Sequence, residues 1–240
     1  MAQNVSLSND QKNFNMDDLA QLAVKYSGVI GAILGAAFVI GLVATIYSMI
    51  NTNNEEKVQI KLALIEESYF EKKGKKTTDA KAVVDLSQEE AQLKDLYGTS
   101  SKFIGGQVAG LYLADLYLDS GKSQEAVEIL KKVFAEPANE LVRAISGLTL
   151  GNVLSSNGNC QDALSTFEKL EKSSASQFVQ SEVKLKKAKC MVQVGDIAKA
   201  ESLLNEVSST QGSSDSMDSM QASESQAYLR LLKVKKNFKL

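Results

Sequence analysis

Chemistry in this chain would have to come from carboxylates, amines and two thiols. There is no histidine among the 240 residues, which removes the commonest general base and the commonest metal ligand. Cys160 and Cys190 are too few for a zinc site of the usual kinds. What is open to them is a disulfide, or nothing. No glycine-rich dinucleotide or Walker loop and no G-x-S-x-G occurs, so phosphate cradling and serine-hydrolase chemistry have no sequence support. Acidic and basic residues abound, but an acidic pair on a helix is ordinarily a solvated face. A formal net charge of −2 argues against nucleic acid, which needs a basic stripe. The reading is a non-enzyme with no cofactor and no metal. An enzyme would need a cleft of strongly perturbed carboxylates.

The elements that position these residues start with an apolar run. No charged residue falls between Lys25 and Glu55, and about 20 apolar residues in a helix cross a bilayer core. Residues 27–50 therefore read as a single transmembrane helix, after a polar tail at 1–26. A cleaved signal peptide fits less well, because the run is long and ends in bulky Met49 and Ile50 rather than small residues. Gly31 and Gly35 form a G-x-x-x-G that can pack against a second membrane helix. Glycine is also simply common in membrane helices. Lysine counts on the two sides tie, Lys12 and Lys25 against Lys57 and Lys61. Lys25, hard against the apolar edge, tilts the orientation toward a cytoplasmic N-terminus.

Residues 51–86 read as a juxtamembrane helix and a basic loop. Val58, Leu62, Ile65 and Tyr69 make one apolar stripe. The stripe can meet a partner, though packing on its own domain is simpler. Lys72, Lys73, Lys75 and Lys76 read as a solvated loop. Ser87-x-x-Glu90 has the form of a capping box at the start of a helix that Tyr97-Gly98 would end.

From there the chain repeats. Gly121, Gly158 and Gly195 stand 37 residues apart, and each is followed five residues later by Ala126, Ala163 or Ala200. Apolar helical stretches flank each glycine. The unit is helix, glycine turn, helix, and such pairs bury their apolar faces only by stacking into a solenoid. The pattern resembles a tetratricopeptide repeat. A small residue stands seven before each glycine (Ala114, Gly151, Ala188) and a large one four before it (Tyr117, Leu154, Met191). Leu130, Phe167 and Leu204 stand nine after it. The period is longer than the family's, and its usual tryptophan is replaced by Gly110, Gly147 and Lys184. With the N-terminal transmembrane helix read from the apolar run, the resemblance implies an all-α fold in which a tetratricopeptide-like α-solenoid of about three helix pairs follows over 87–208. A Ser-rich linker at 209–222 and an amphipathic helix at 223–240 complete the chain. That last helix caps repeat three or fills the groove, with capping favoured.

In tetratricopeptide arrays the first helix of each pair lines a concave groove. Here that places Val108, Leu111, Asp115, Leu118, Ile145, Leu148, Asn152, Leu185, Lys189 and Val192 in it. A mostly apolar groove without clustered cations suits an extended apolar segment or an amphipathic helix. Cys160 begins the second helix of repeat two, and Cys190 lies late in the first helix of repeat three. Antiparallel packing brings them to the same end of the stack. A disulfide and two buried thiols both fit.

Tail, span, stalk and divergent repeats together resemble the YfgM family, most closely over EEAQLKDLYGTSSKFIGGQVAGLYLADLYLDSGKSQEAVEIL. That resemblance implies a bacterial inner-membrane anchor with the helical domain in the periplasm. It also implies a role ancillary to the SecYEG translocon, beside the chaperone PpiD, on unfolded newly secreted proteins. The alternative is a structural scaffold subunit of a membrane-bound secretion or motility complex, binding one folded partner.

Overall fold

A computed structural model of the protein describes residues 27–78, 85–175, 179–209 and 216–238, with the side chains of 27–40 and of some later positions outside the description. The tail at 1–26 lies outside the described residues. Among those described, nine α-helices occur and no strand: α1 Ser27–Thr78, α2 Ser87–Ser100, α3 Ile104–Asp119, α4 Ser123–Ala135, α5 Glu140–Ser156, α6 Cys160–Glu171, α7 Gln180–Gln193, α8 Ile197–Ser208 and α9 Ser216–Phe238. The chain divides into two units, residues 1–54 and 55–240.

In the first unit the backbone is helical from Ser27 onward. Thr45 and Thr52 turn their hydroxyls back onto the carbonyls of Gly41 and Ser48. Val43 and Met49 are exposed. Among the described residues no helix is long and apolar enough to cross a membrane. Most of the stretch read as a span, including Gly31 and Gly35, falls where side chains lie outside the description.

The second unit is a stack of helix pairs. The three glycines are its punctuation. Each has a positive φ (74°, 79° and 89°), a conformation costly for any residue with a Cβ. Each closes the same pair of bonds. Gly121 N–H donates to Leu118 O and Lys122 N–H to Tyr117 O. Gly158 and Asn159 donate to Ser155 and Leu154, and Gly195 and Asp196 to Val192 and Met191. This is the Schellman motif, which uses carbonyls that the helix end leaves free. The next helix then starts under a side-chain cap where the residue allows one, from Asn159 to Asp162 N–H and from Asp196 to Lys199 N–H.

Packing follows the repeat positions. Ala126, Ala163 and Ala200 are fully buried, as are Leu130, Phe167 and Leu204. The places of the missing tryptophan are explained by their neighbours. A Cβ on Gly110 would sit 2.7 Å from the Tyr97 ring, and one on Gly147 2.6 Å from the Phe134 ring. An aromatic from the preceding helix thus fills the gap in two repeats. Gln107, buried, clamps the chain around Pro137: its Nε2 donates to Ser101 O and Glu136 O, and its Oε1 accepts from Ala138 N–H.

Several boundaries differ from the sequence reading. That reading has three pairs, but α1 and α2 form a further pair ahead of them. The stripe Val58, Leu62, Ile65 and Tyr69 is buried in the core with Leu93 and Leu96. The basic stretch after Tyr69 is helix to Thr78, not loop, because Lys72 reaches Glu89 at 2.7 Å and Lys73 pairs with Asp115 and Asp119. Ser87 does not cap: Leu86 holds that position, and Ser87 N–H donates to Asp85 Oδ1. Gly98 lies inside α2, which continues to Ser100. The last helix begins at Ser216, within the stretch read as linker, because Gln221, Ala222 and Ser225 already face the stack and are buried.

Candidate protein-binding groove

The first helices of the pairs stand side by side, α3 against α5 and α5 against α7. Of the residues read as groove-lining, Val108, Leu111, Leu118 and Leu148 are partly buried against one apolar cluster. Leu185 and Val192 belong to a second, with Ala188, Ala200, Leu204 and Leu232. Leu185 is 1% exposed and so supports the stack rather than lining an open surface.

Both ends of the row are occupied by the chain itself, which the sequence reading missed. At the first end, α1 lies on α3. Glu55 accepts hydrogen bonds from Ile104 N–H and Gly105 N–H at 2.9 and 3.0 Å. A carboxylate is favoured there by the free amides and the dipole of the helix N-terminus. Gly105 permits the approach, since a Cβ would meet Val58 Cγ1 at 2.9 Å. Further along, Tyr69 Oη donates to Asp115 Oδ2 at 2.9 Å, and Lys73 bonds the same carboxylate. Burial works against the Lys73 charge, but hydrogen bonds to Asp115, Tyr69 and Asp119 outweigh it and raise its pKa. Burial, with Asp115 beside it, raises the Tyr69 phenol. Burial first, then Glu66, pushes Tyr112 up to about 12. Asp115 is therefore spent on holding α1.

Beneath this, Glu89 occupies the place in α2 that Ala126, Ala163 and Ala200 occupy in later pairs. It is 1% exposed. Burial alone would raise its pKa, yet hydrogen bonds from Lys72 and Ser68 outweigh burial and lower it.

At the far end α9 packs on α7 and α8. Leu232 joins the second cluster, Lys189 pairs with Glu224, and the Lys189 ammonium stands 5.9 Å from the Tyr228 ring centroid. The last helix thus both caps repeat three and covers its share of the groove.

The middle stays open. Leu141 and Ile145, one turn apart on α5, are 55% and 43% exposed. Leu148 and Asn152 continue that face at helical spacing. The Asn152 side-chain oxygen is buried and has no hydrogen-bond partner among the described residues. A separate cleft of about 550 Å³ between α4, α5 and α6 is lined by Phe134, Arg143, Leu150, Thr166 and Lys169, none of them a predicted groove residue. Among the described residues no cluster could hold a metal ion.

The two cysteines do meet. Cys160 Sγ lies 2.7 Å from Cys190 Sγ, and both are buried, free thiols.

A family model described as a tetratricopeptide repeat-like domain matches residues 25–182. Among solved structures, the chain is similar to a crystal structure of the Podosopora anserina putative kinesin light chain nearly identical TPR-like repeats. That match has 17% identity and a TM-score of 0.49, covering 78% of this chain and 98% of that one. No curated protein matches.

Proposed function

Because the chain belongs to the tetratricopeptide repeat-like domain family, we propose that it is a protein-binding module whose open stretch on α5 takes an apolar segment of another protein. The observation that carries this is the exposed pair Leu141 and Ile145, left uncovered while α1 and α9 occupy the two ends of the row. Burying two such side chains contributes about 1.5–3 kcal/mol each at most.

The finer reading is a bacterial inner-membrane protein, anchored by residues 27–50, with its repeats in the periplasm. It assists newly secreted proteins at the SecYEG translocon beside PpiD. Its support is the charge-free run from Val29 to Ile50, the start of the family match at residue 25, and the resemblance to the YfgM family. One observation favours the scaffold alternative. With both ends filled, the open patch is short, which suits one specific segment better than a long unfolded chain.

Two experiments test these readings. Ser214→Cys in a Cys160→Ser/Cys190→Ser background, labelled with an impermeant thiol reagent after the outer envelope is opened, reads topology. Labelling only after lysis would end the periplasmic and translocon readings together. Affinity capture of the full chain, with Ile145→Asp as comparison, reads the groove. Translocon subunits recovered with the parent and lost with the variant are expected. Equal recovery would exclude α5 as the binding face.

A further inference from the structure

The apolar interior of the second unit is not continuous. One cluster runs from Val58 to Val183 and includes Cys160 and Cys190. The other comprises Leu185, Ala188, Ala200, Leu204 and Leu232. Helix α7 straddles the seam, with Val183 and Cys190 in the first and Leu185 and Ala188 in the second. Besides packing, the Lys187–Glu171 ion pair at 2.6 Å ties α7 to α6.

We infer that Cys160 and Cys190 are a modification site, forming a disulfide that bolts the α7–α9 module to the body of the array. Three observations support it. The sulfurs are 2.7 Å apart on neighbouring helices. The thiols are already oriented by hydrogen-bond acceptors, Cys160 by Gln193 Oε1 at 2.9 Å and Cys190 by Ser155 Oγ at 3.0 Å. The bond would also tie α6 to α7, the helix in which the two clusters meet, so that the residues of the second cluster carried by α7 are fastened to the first.

The oxidant is a small disulfide such as oxidised glutathione. Burial, with Cys160 beside it, pushes the Cys190 thiol up to about 11, so in the closed protein Cys190 is a poor attacker. Cys160, 4% exposed at the first residue of α6, attacks first. Its sulfur bonds one sulfur of the oxidant, and the other leaves as a thiol carrying Cys160's proton. Cys190 then attacks the Cys160 sulfur of this mixed disulfide and expels the second thiol with its own proton. Two protein thiols are oxidised and one small disulfide is reduced to two thiols.

The test uses the full chain in a mild non-ionic detergent, reduced and then equilibrated with oxidised glutathione. Denaturing alkylation with intact-mass readout should find two adducts on the reduced chain. On the oxidised chain it should find none, with a mass lower by two hydrogens. Hydrogen exchange should slow at least tenfold in α7–α9 on oxidation and stay unchanged in α3–α5. The midpoint of thermal unfolding should rise by about 5–10 °C. The Cys160→Ser and Cys190→Ser chains should show none of these changes. Two adducts, or glutathione adducts alone, after oxidation would overturn the bond. A disulfide that leaves α7–α9 exchange unchanged would overturn its role as a bolt.

Discussion

Gly151 is the position at which the packing argument can be tested most sharply. The other two repeats have Ala114 and Ala188 there, with Leu130 and Leu204 at the place of Phe167; only the second combines glycine with phenylalanine, at Gly151 and Phe167. A Cβ on Gly151 would lie 2.5 Å from Phe167 Cζ and closer still to Cε1, and the ring, fully buried, has nowhere to go. Gly151→Ala gains about 1 kcal/mol of helix propensity but overpacks the core at a cost of roughly 1–3 kcal/mol. A net loss of about 0–2 kcal/mol is expected. Gly98→Ala is the control: it is helical, exposed and meets nothing within 4 Å, so it should gain about 0.5–1 kcal/mol. Phe167→Leu alone leaves a partial void costing roughly 1–2 kcal/mol. Combined with Gly151→Ala it recreates the alanine–leucine pair of the other repeats, and a favourable coupling of at least about 1 kcal/mol is expected. Urea unfolding followed by far-ultraviolet circular dichroism reads all four. Additive costs in the double variant, or a Gly151→Ala chain as stable as Gly98→Ala, would refute the reasoning.

Three further outcomes are expected. Glu89 has a lowered folded-state pKa, so its stabilisation is present above its ordinary value of 4.5 and is lost as pH falls through the lowered value. Unfolding midpoints between pH 5 and pH 3 should therefore fall more steeply for the parent than for Glu89→Gln. Tyr69→Phe removes the hydroxyl bonded to Asp115 and should cost about 1 kcal/mol relative to the parent in the same urea assay. Gly158→Ala should lose about 1 kcal/mol by thermal unfolding, because φ of 79° places a Cβ against the following carbonyl.

What the residues disclosed was local. A glycine needing positive φ and an alanine needing contact impose themselves at fixed spacing, so the three turns and Ala126, Ala163 and Ala200 could be read directly. The α1–α2 pair was hidden because Glu89 stands in the alanine place and no turn glycine precedes α2 at the common spacing. Its signal was Leu93, 37 residues before Leu130. Tyr97 and Phe134 stand 13 before Gly110 and Gly147, and that spacing could have identified what replaces the absent tryptophan. The occupied groove ends had no such signal. Tyr69 with Asp115 and Lys189 with Glu224 are pairings between distant parts of the chain, fixed only once the helices stack.

The covering of both ends of the row makes the module a gauge of length. With α3 covered by α1 and α7 by α9, the accessible track is the face of α5 between them. At about 8–10 Å between neighbouring axes the two covered helices stand roughly 16–20 Å apart. That span holds about five or six residues of extended chain, or about three turns of helix. A segment that fills it gains contacts with each added residue, and a longer one overhangs into solvent. Affinity for a series of nested peptides should therefore climb and then level off, and the length at which it levels measures the distance between the two covering helices.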